Sequence, residues 1–381
     1  MILRKLVVVF TAVMTLSSCS AAKEAKVNQE QKPASTQASS QPTSAASQPT
    51  SHQHSRDDWK KFAPPVEEGC FVRPAATGAA RPIWGHAQGL RVGIAPMRGP
   101  RGLLRIYAPF LGQSEERVIN YVAIEPYIKT EGKDVKKRRG LSELEHSDLD
   151  GVNGKRFWAA DKADDFTPRR PEDNPARGVI TSEGDVQILR VYVMVEPYDN
   201  GARPYVRLTF RSDRPEEVGI ATFARGDSVT LDHCVTTATM GNFARLRELH
   251  LKGKVVTARE LWPEYTGNSF IGPKYYGLDE FQRTADGGVI VAATNDEEDP
   301  KAVPAAWQYK GEKATQYWRC EKPDPKLSVK VNGRFTYYMS NNAIPGGIAY
   351  ENFELVSPFH EGDEFWFGVT KKTPGELGLG R

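Results

Sequence analysis

The stretch 185-DVQILRVYVMVE-196, followed across Asp199-Asn200-Gly201 by 205-YVRLTF-210, decides the fold. Val186, Ile188, Val191, Val193 and Val195 are β-branched and closely set, which suits a pleated, buried surface better than a helix. Asp199-Asn200-Gly201 is turn chemistry, so the two runs are predicted to pair as a hairpin.

Outward from that hairpin the same pattern recurs. Leu90–Ile94, Leu103–Tyr107 and Val118–Glu125 (ended by Pro126) read as strands on one side. Glu217–Phe223, Ser228–Val235, Val289–Thr294, Ile348–Val356 and Glu364–Val369 follow on the other. Leu327–Val331 and Phe335–Met339 are predicted to pair across a type I′ turn at Asn332-Gly333. Asn242–Leu251 reads as a helix, because Phe243, Leu246 and Leu249 fall at helical spacing. With 26 Pro and 33 Gly punctuating the chain, many short strands are favoured over long helices. No repeat of fixed period and no alternation of strand with helix is present. The expected fold is all-β: a large antiparallel β-sandwich with one or two short helices, spanning 56–381 as a single domain. In size and scarcity of helix it resembles the galactose-mutarotase-like supersandwich. That resemblance implies a carbohydrate-active or carbohydrate-binding protein. It rests on architecture, not on a motif, so it carries over no catalytic residues.

The first 55 residues are of another kind. Arg4 and Lys5 precede an apolar run, Leu6–Leu16, that is too short to span a bilayer as a mature helix. Leu16-Ser17-Ser18-Cys19 resembles the lipobox of bacterial lipoproteins. The resemblance implies that 1–19 is a signal peptide and that Cys19 is acylated, becoming the first residue of a protein held at the cell envelope. Ser20, where an Asp would direct inner-membrane retention, implies the outer membrane. Residues 20–55 are rich in Ser, Ala, Gln and Pro and poor in large apolar side chains, so they are expected to form a disordered linker. His52 and His54 fall in that tract without carboxylate or cysteine partners and read as solvated.

Several function classes are disfavoured. A net charge of +3 is too small for a nucleic-acid partner. No Gly-rich strand-to-helix turn suggests a nucleotide cofactor, and no GxSxG suggests a serine hydrolase. Beyond Cys19, the cysteines Cys70, Cys234 and Cys320 allow either one disulfide with a leftover thiol or three unpaired thiols. Asp148 and Asp150 offer hard oxygens for calcium, but without the glycine-and-glutamate spacing of an EF-hand, and no metal centre or cofactor is expected.

Carbohydrate is the partner class that the remaining residues suit, and an anionic polysaccharide fits the Arg-rich loops. Flat rings cover the C–H faces of sugars, while charged and amide groups take hydroxyls and carboxylates. The densest polar stretch, 138-RRGLSELEHSDLDGVNGKRFW-158, supplies Arg139, Glu143, Glu145 and Trp158; an exposed loop with a Ser142/Glu145 capping box is the plainer reading of the same residues. Trp262, Lys274, Tyr275 and Tyr276 cluster among Gly and Pro, and His86 completes the candidate set. Arg139, Glu143 and Glu145 are expected to line a concave face with His86 or Tyr275. A lyase would need a cation and a base, for which Arg139, Lys274, His86, His233, Tyr275 and Tyr276 are of the right type. A hydrolase would need facing carboxylates, such as Glu125 and Glu351. Three functions stay open: a lipid-anchored carbohydrate-binding protein, a lyase or hydrolase on the same fold, and an assembly lipoprotein that binds protein partners.

Overall fold

The computed structural model describes residues 61–94, 102–112, 117–130, 138–142, 155–170, 176–297, 309, 311–337 and 341–379. The chain divides after Pro49, and every described residue lies in the unit Thr50–Arg381. Cys19, the linker histidines, Glu143, Glu145, Asp148 and Asp150 lie outside the described residues.

Two large antiparallel sheets pack face to face. The first has ten strands: β1 (Val66–Glu68), β2 (Phe71–Arg73), β3 (Ile83–His86), β4 (Arg91–Gly93), β5 (Leu104–Tyr107), β6 (Val118–Ile128), β12 (Leu231–Thr239), β20 (Ala349–Pro358), β19 (Ser328–Arg334) and β15 (Lys274–Gly277), in that spatial order. The second runs β14 (Lys254–Thr257), β13 (Leu246–Leu251), β17 (Val289–Asn295), β18 (Thr315–Cys320), β21 (Glu364–Thr370), β11 (Glu217–Ala224), β10 (Pro204–Arg211), β9 (Val186–Val195) and β7 (Phe157–Ala160). Two further strands complete it: β16 (Gln282–Arg283) against β17, and β8 (Val179–Glu183) against β9. The fold is the all-β sandwich expected from the alternating runs, and the β9–β10 hairpin forms with Met194 opposite Tyr205 and Leu189 opposite Phe210.

The inner faces share one apolar core. Ile106, Val122, Ile124, Phe353 and Leu355 of the first sheet meet Val191, Val193, Leu208, Ile220 and Phe367 of the second. Few polar bonds cross this layer. Trp318 Nε1 donates to the Phe353 carbonyl at 2.9 Å, and Asn120 Nδ2 donates to Gln316 Oε1 at 2.6 Å. Each satisfies a buried polar atom that would otherwise cost free energy in the apolar layer.

Two expectations fail, both for tertiary reasons. Asn242–Leu251 is not a helix: it is a 3-10 turn at Gly241–Phe243 followed by strand β13. Leu246 and Leu249 both reach the core because a bulge between Leu246 and Glu248 shifts the register by one. That shift mimics helical spacing in a strand. Asn332-Gly333 is not a hairpin turn either; β19 runs through it, paired with β20 and β15. Asn332 faces Asn352 and Gly333 faces Tyr350, which leaves Glu351 as the extra residue of a bulge. Asn332 Oδ1 accepts from the Asn352 N–H at 3.0 Å. Gly333 has no Cβ because one would stand 2.9 Å from the Trp262 ring. The one α-helix among the described residues, α1 (Ala258–Leu261), is a single turn closed by a capping box between Thr257 and Glu260. Cys70, Cys234 and Cys320 are unpaired, and burial pushes the last two thiols up to about 12 and about 11.

Candidate functional site

Alternation along the strands of the first sheet sends every second side chain away from the core. In β6, Val122 and Ile124 enter the core, so Tyr121, Ala123, Glu125 and Tyr127 face outward. The same parity in β12, β20 and β19 turns out His233, Val235, Thr237 and Thr239, then Asn352, Glu354 and Val356, then Ser328, Lys330 and Asn332. Directly opposite residues share a face, so the register assembles these side chains into rows. One row reads Ala123, Thr237, Glu354, Lys330, Tyr275 across five strands. A second begins Glu125, Val235, Val356, Ser328, and a third places Tyr127 beside His233. Toward the other end lie Arg105, Tyr121, Thr239, Asn352 and Asn332.

Residues 138–142 add the last component. They lie along the second half of β6, where Ile128 N–H donates to the Arg138 carbonyl and Gly140 N–H to that of Pro126. The Ser142 hydroxyl accepts from the Ile124 N–H at 2.7 Å, so Ser142 takes part in this pairing; Glu145, its partner in the expected capping box, lies outside the described residues. Arg139 stands opposite Tyr127 and therefore on the outer face. Its guanidinium grips Glu125 with both arms, at 2.9 and 2.5 Å.

Two carboxylates and two cations thus share the middle of the face. Glu125 and Glu354 are fully buried, while the Arg139 side chain is 36% exposed and that of Lys330 12%. Lys330 pairs with Glu354 across β19 and β20. Burial pushes the Glu354 carboxyl up, and the Glu125 charge adds to this, against the pull of Lys330. Lys330 is held charged, because the two carboxylates outweigh its desolvation. Beside this quartet, His233 stacks on Tyr127 with ring centroids 4.2 Å apart and planes 18° apart. His233 Nδ1 meets Asp232 Oδ2 at 3.2 Å, and Asp232 in turn pairs with Arg138. Desolvation lowers the His233 pKa, with Asp232 opposing that and Arg138 assisting it, so the site favours the neutral ring.

The sequence candidates distribute unevenly around this face. Arg139 and Tyr275 are on it, and Tyr275 is the most exposed aromatic of the core-bearing strands at 59%. Lys274 is exposed at the start of β15, next to the face but opposite Val331. Tyr276 turns toward the core side, half-buried, with the Lys254 ammonium 5.3 Å over its ring. The structure does not bring the other three together with them. His86 is buried between Phe71 and Phe210, and burial lowers its pKa to about 4. Trp158 is buried on the second sheet with Ala160 and Met194. Trp262 is buried edge-on to Tyr350. Lys330, Glu354, Tyr127, Asp232 and Arg138 were absent from the sequence candidates. The available signal was a charge at an interior position of an apolar strand, as at Glu125 in 122-VAIE-125 and Glu354 in 353-FELV-356.

Glu351, a candidate for a facing carboxylate pair, occupies the β20 bulge instead. It is 1% exposed, and burial pushes its carboxyl up to about 8 against the opposing charge of Arg334. Between its ordinary value of 4.5 and about 8 the folded chain keeps a proton that the unfolded chain releases. Stability therefore falls as pH rises through that window, by on the order of 5 kcal/mol. Urea unfolding of Glu351→Gln is expected to lose this slope and to match or exceed the parent above pH 7. An unchanged slope in the variant would place the titration elsewhere.

A surface pocket of about 560 Å³ lies at the β15–β19 edge, lined by Gly277, Asp279, Arg283, Pro323, Lys326 and Ser328. It adjoins the row that ends in Ser328. Comparison with protein-family models, with curated proteins and with solved structures finds no match for the chain.

Proposed function

We propose that this is a lipid-anchored protein of the bacterial cell envelope whose sandwich binds an anionic polysaccharide on the outer face of the first sheet. The observation that carries this is the row ending in Glu354, Lys330 and Tyr275, with the Arg139–Glu125 pair on the same face. An exposed ring at one edge and fixed cations behind it suit a chain of pyranose rings bearing carboxylates. The lipobox-like Leu16–Cys19 and the linker suit a partner that is extended or immobile, since a tether lets the domain search near a surface. Protein docking is less well supported. The exposed large apolar side chains among the described residues are Val66, Val179, Val229 and Tyr275, on four separate segments, which is not a contiguous patch.

Titration of the full-length chain with a polyuronate and with a neutral glucan tests the binding. The polyuronate is expected to bind, and to bind less tightly as salt is raised. Tyr275→Ala should weaken binding about tenfold, the loss of one aromatic contact. Equal affinity for the neutral glucan, or none for either, would overturn the reading. For the anchor, Cys19→Ala is expected to move the protein out of the membrane fraction.

A further inference from the structure

The His233 ring is held more strictly than binding requires. Its Nδ1–H donates to Asp232, so the lone pair sits on Nε2, away from the carboxylate. Stacking on Tyr127 fixes the ring plane, and the side chain is 24% exposed. Arg139, opposite Tyr127 and paired through Nε and Nη2 with Glu125, brings its guanidinium beside the stack. An oriented neutral base, a phenol and a cation therefore share one partly open end of the face.

We propose that this end is a catalytic site for β-elimination in uronate-containing polysaccharides, with His233 as base, Tyr127 as acid and Arg139 as the cation opposite the uronate carboxylate. The inference rests on the anionic-glycan reading and adds a reaction to it. His233 Nε2 takes the proton from the carbon next to the carboxylate, and Arg139 stabilises the enolate that forms. The electron pair then makes the C4=C5 double bond while the C4–O glycosidic bond breaks. The leaving oxygen takes the Tyr127 hydroxyl proton; after product leaves, His233 gives its proton to solvent and the phenolate takes one up, which restores both groups. Atoms and electrons balance without water, oxidant or metal. Asp232 touches no substrate and is a positioning residue.

The groups facing His233 are Asp232 and Arg138 on one side and Tyr127, Glu125 and Arg139 on the other; β20 presents Pro358 there. Together they leave the imidazole pKa below its ordinary value and the phenol pKa above its own. The acidic limb of kcat/KM should then lie below pH 6.5, the ordinary imidazole value.

The experiment incubates the full-length chain with polygalacturonate, alginate and hyaluronate. Two readouts are followed: the ultraviolet absorbance of the new conjugated carboxylate, and fragment masses that sum to the parent without added water. At least one substrate is expected to be cut. His233→Gln should lower turnover about 10²–10⁴-fold while holding thermal midpoint and polyuronate affinity near the parent's. Asp232→Asn should lower kcat and move the acidic limb to lower pH, which a merely structural role would not do. Binding without turnover overturns this inference and leaves the binding proposal standing, whereas no binding to any polyuronate overturns both. Fragments that have gained water, or full turnover by His233→Gln, overturn the elimination mechanism alone.

Discussion

Lys330→Met is expected to destabilise the protein by about 3–5 kcal/mol, because it leaves Glu354 buried without its cation. Glu354 has no exposed surface, and Glu125 nearby already raises the cost of its charge. Methionine fills most of the lysine volume, so the loss reads electrostatics more than packing. In the variant, Glu354 must take up a proton to remain buried, and its folded pKa rises further above the unfolded value. The penalty therefore grows as pH rises above the ordinary carboxylate range and shrinks below it. Adding Glu354→Gln to Lys330→Met should recover more than half of the loss. Urea unfolding of the parent, both single variants and the double variant gives the coupling directly. A loss under 1 kcal/mol for Lys330→Met, or a double variant no better than the single, would show that the pair is not what stabilises the middle of the face.

Arg247→Met is expected to cost a similar amount, about 3–5 kcal/mol, through a different mechanism. Arg247 is 1% exposed. Its Nη1 donates to Asp296 at 2.9 Å and to Glu297 at 3.0 Å, and its Nε donates to the Ile348 carbonyl at 3.1 Å. Its Nη2 donates to the carbonyls of Pro345 and, at 3.3 Å, of Gly347. One guanidinium thus ties β13 to the segments leaving β17 and entering β20. Arg247→Lys should recover less than half of the loss, because an ammonium cannot reproduce the planar fork. Differential unfolding measures both values. Hydrogen exchange should also rise at residues 348–352, where β20 begins. A methionine variant as stable as the parent would mean that Asp296 and Glu297 are held well enough by Arg259 and Arg245.

How legible the protein was in its sequence differs between fold and site. β9 and β10 could be read directly, because burial on one face of a strand imposes period two on neighbouring residues. β13 could not. A single bulge shifts that period, and the shifted spacing of Leu246 and Leu249 imitates a helix. Asn332-Gly333 misled for a related reason. The dipeptide serves a tight turn and a bulge equally well, and only the approach of Trp262 and the Glu351 bulge in β20 select the second.

The outer face shows the same division more sharply. Arg139 and Tyr275 stood out as a charge and a ring among turn residues, and the structure brings them onto one sheet face. Their neighbours Glu354, Lys330, His233 and Tyr127 come from four strands, separated in sequence by up to 227 residues between Tyr127 and Glu354 (354 minus 127). No local pattern encodes that meeting. The sequence by itself determined the strand grammar and the all-β class, because each follows from residues adjacent in the chain. Only the tertiary structure decided which polar side chains share a face. Antiparallel register pairs residues by position across the sheet, and a shift of one residue would have turned each of them into the core.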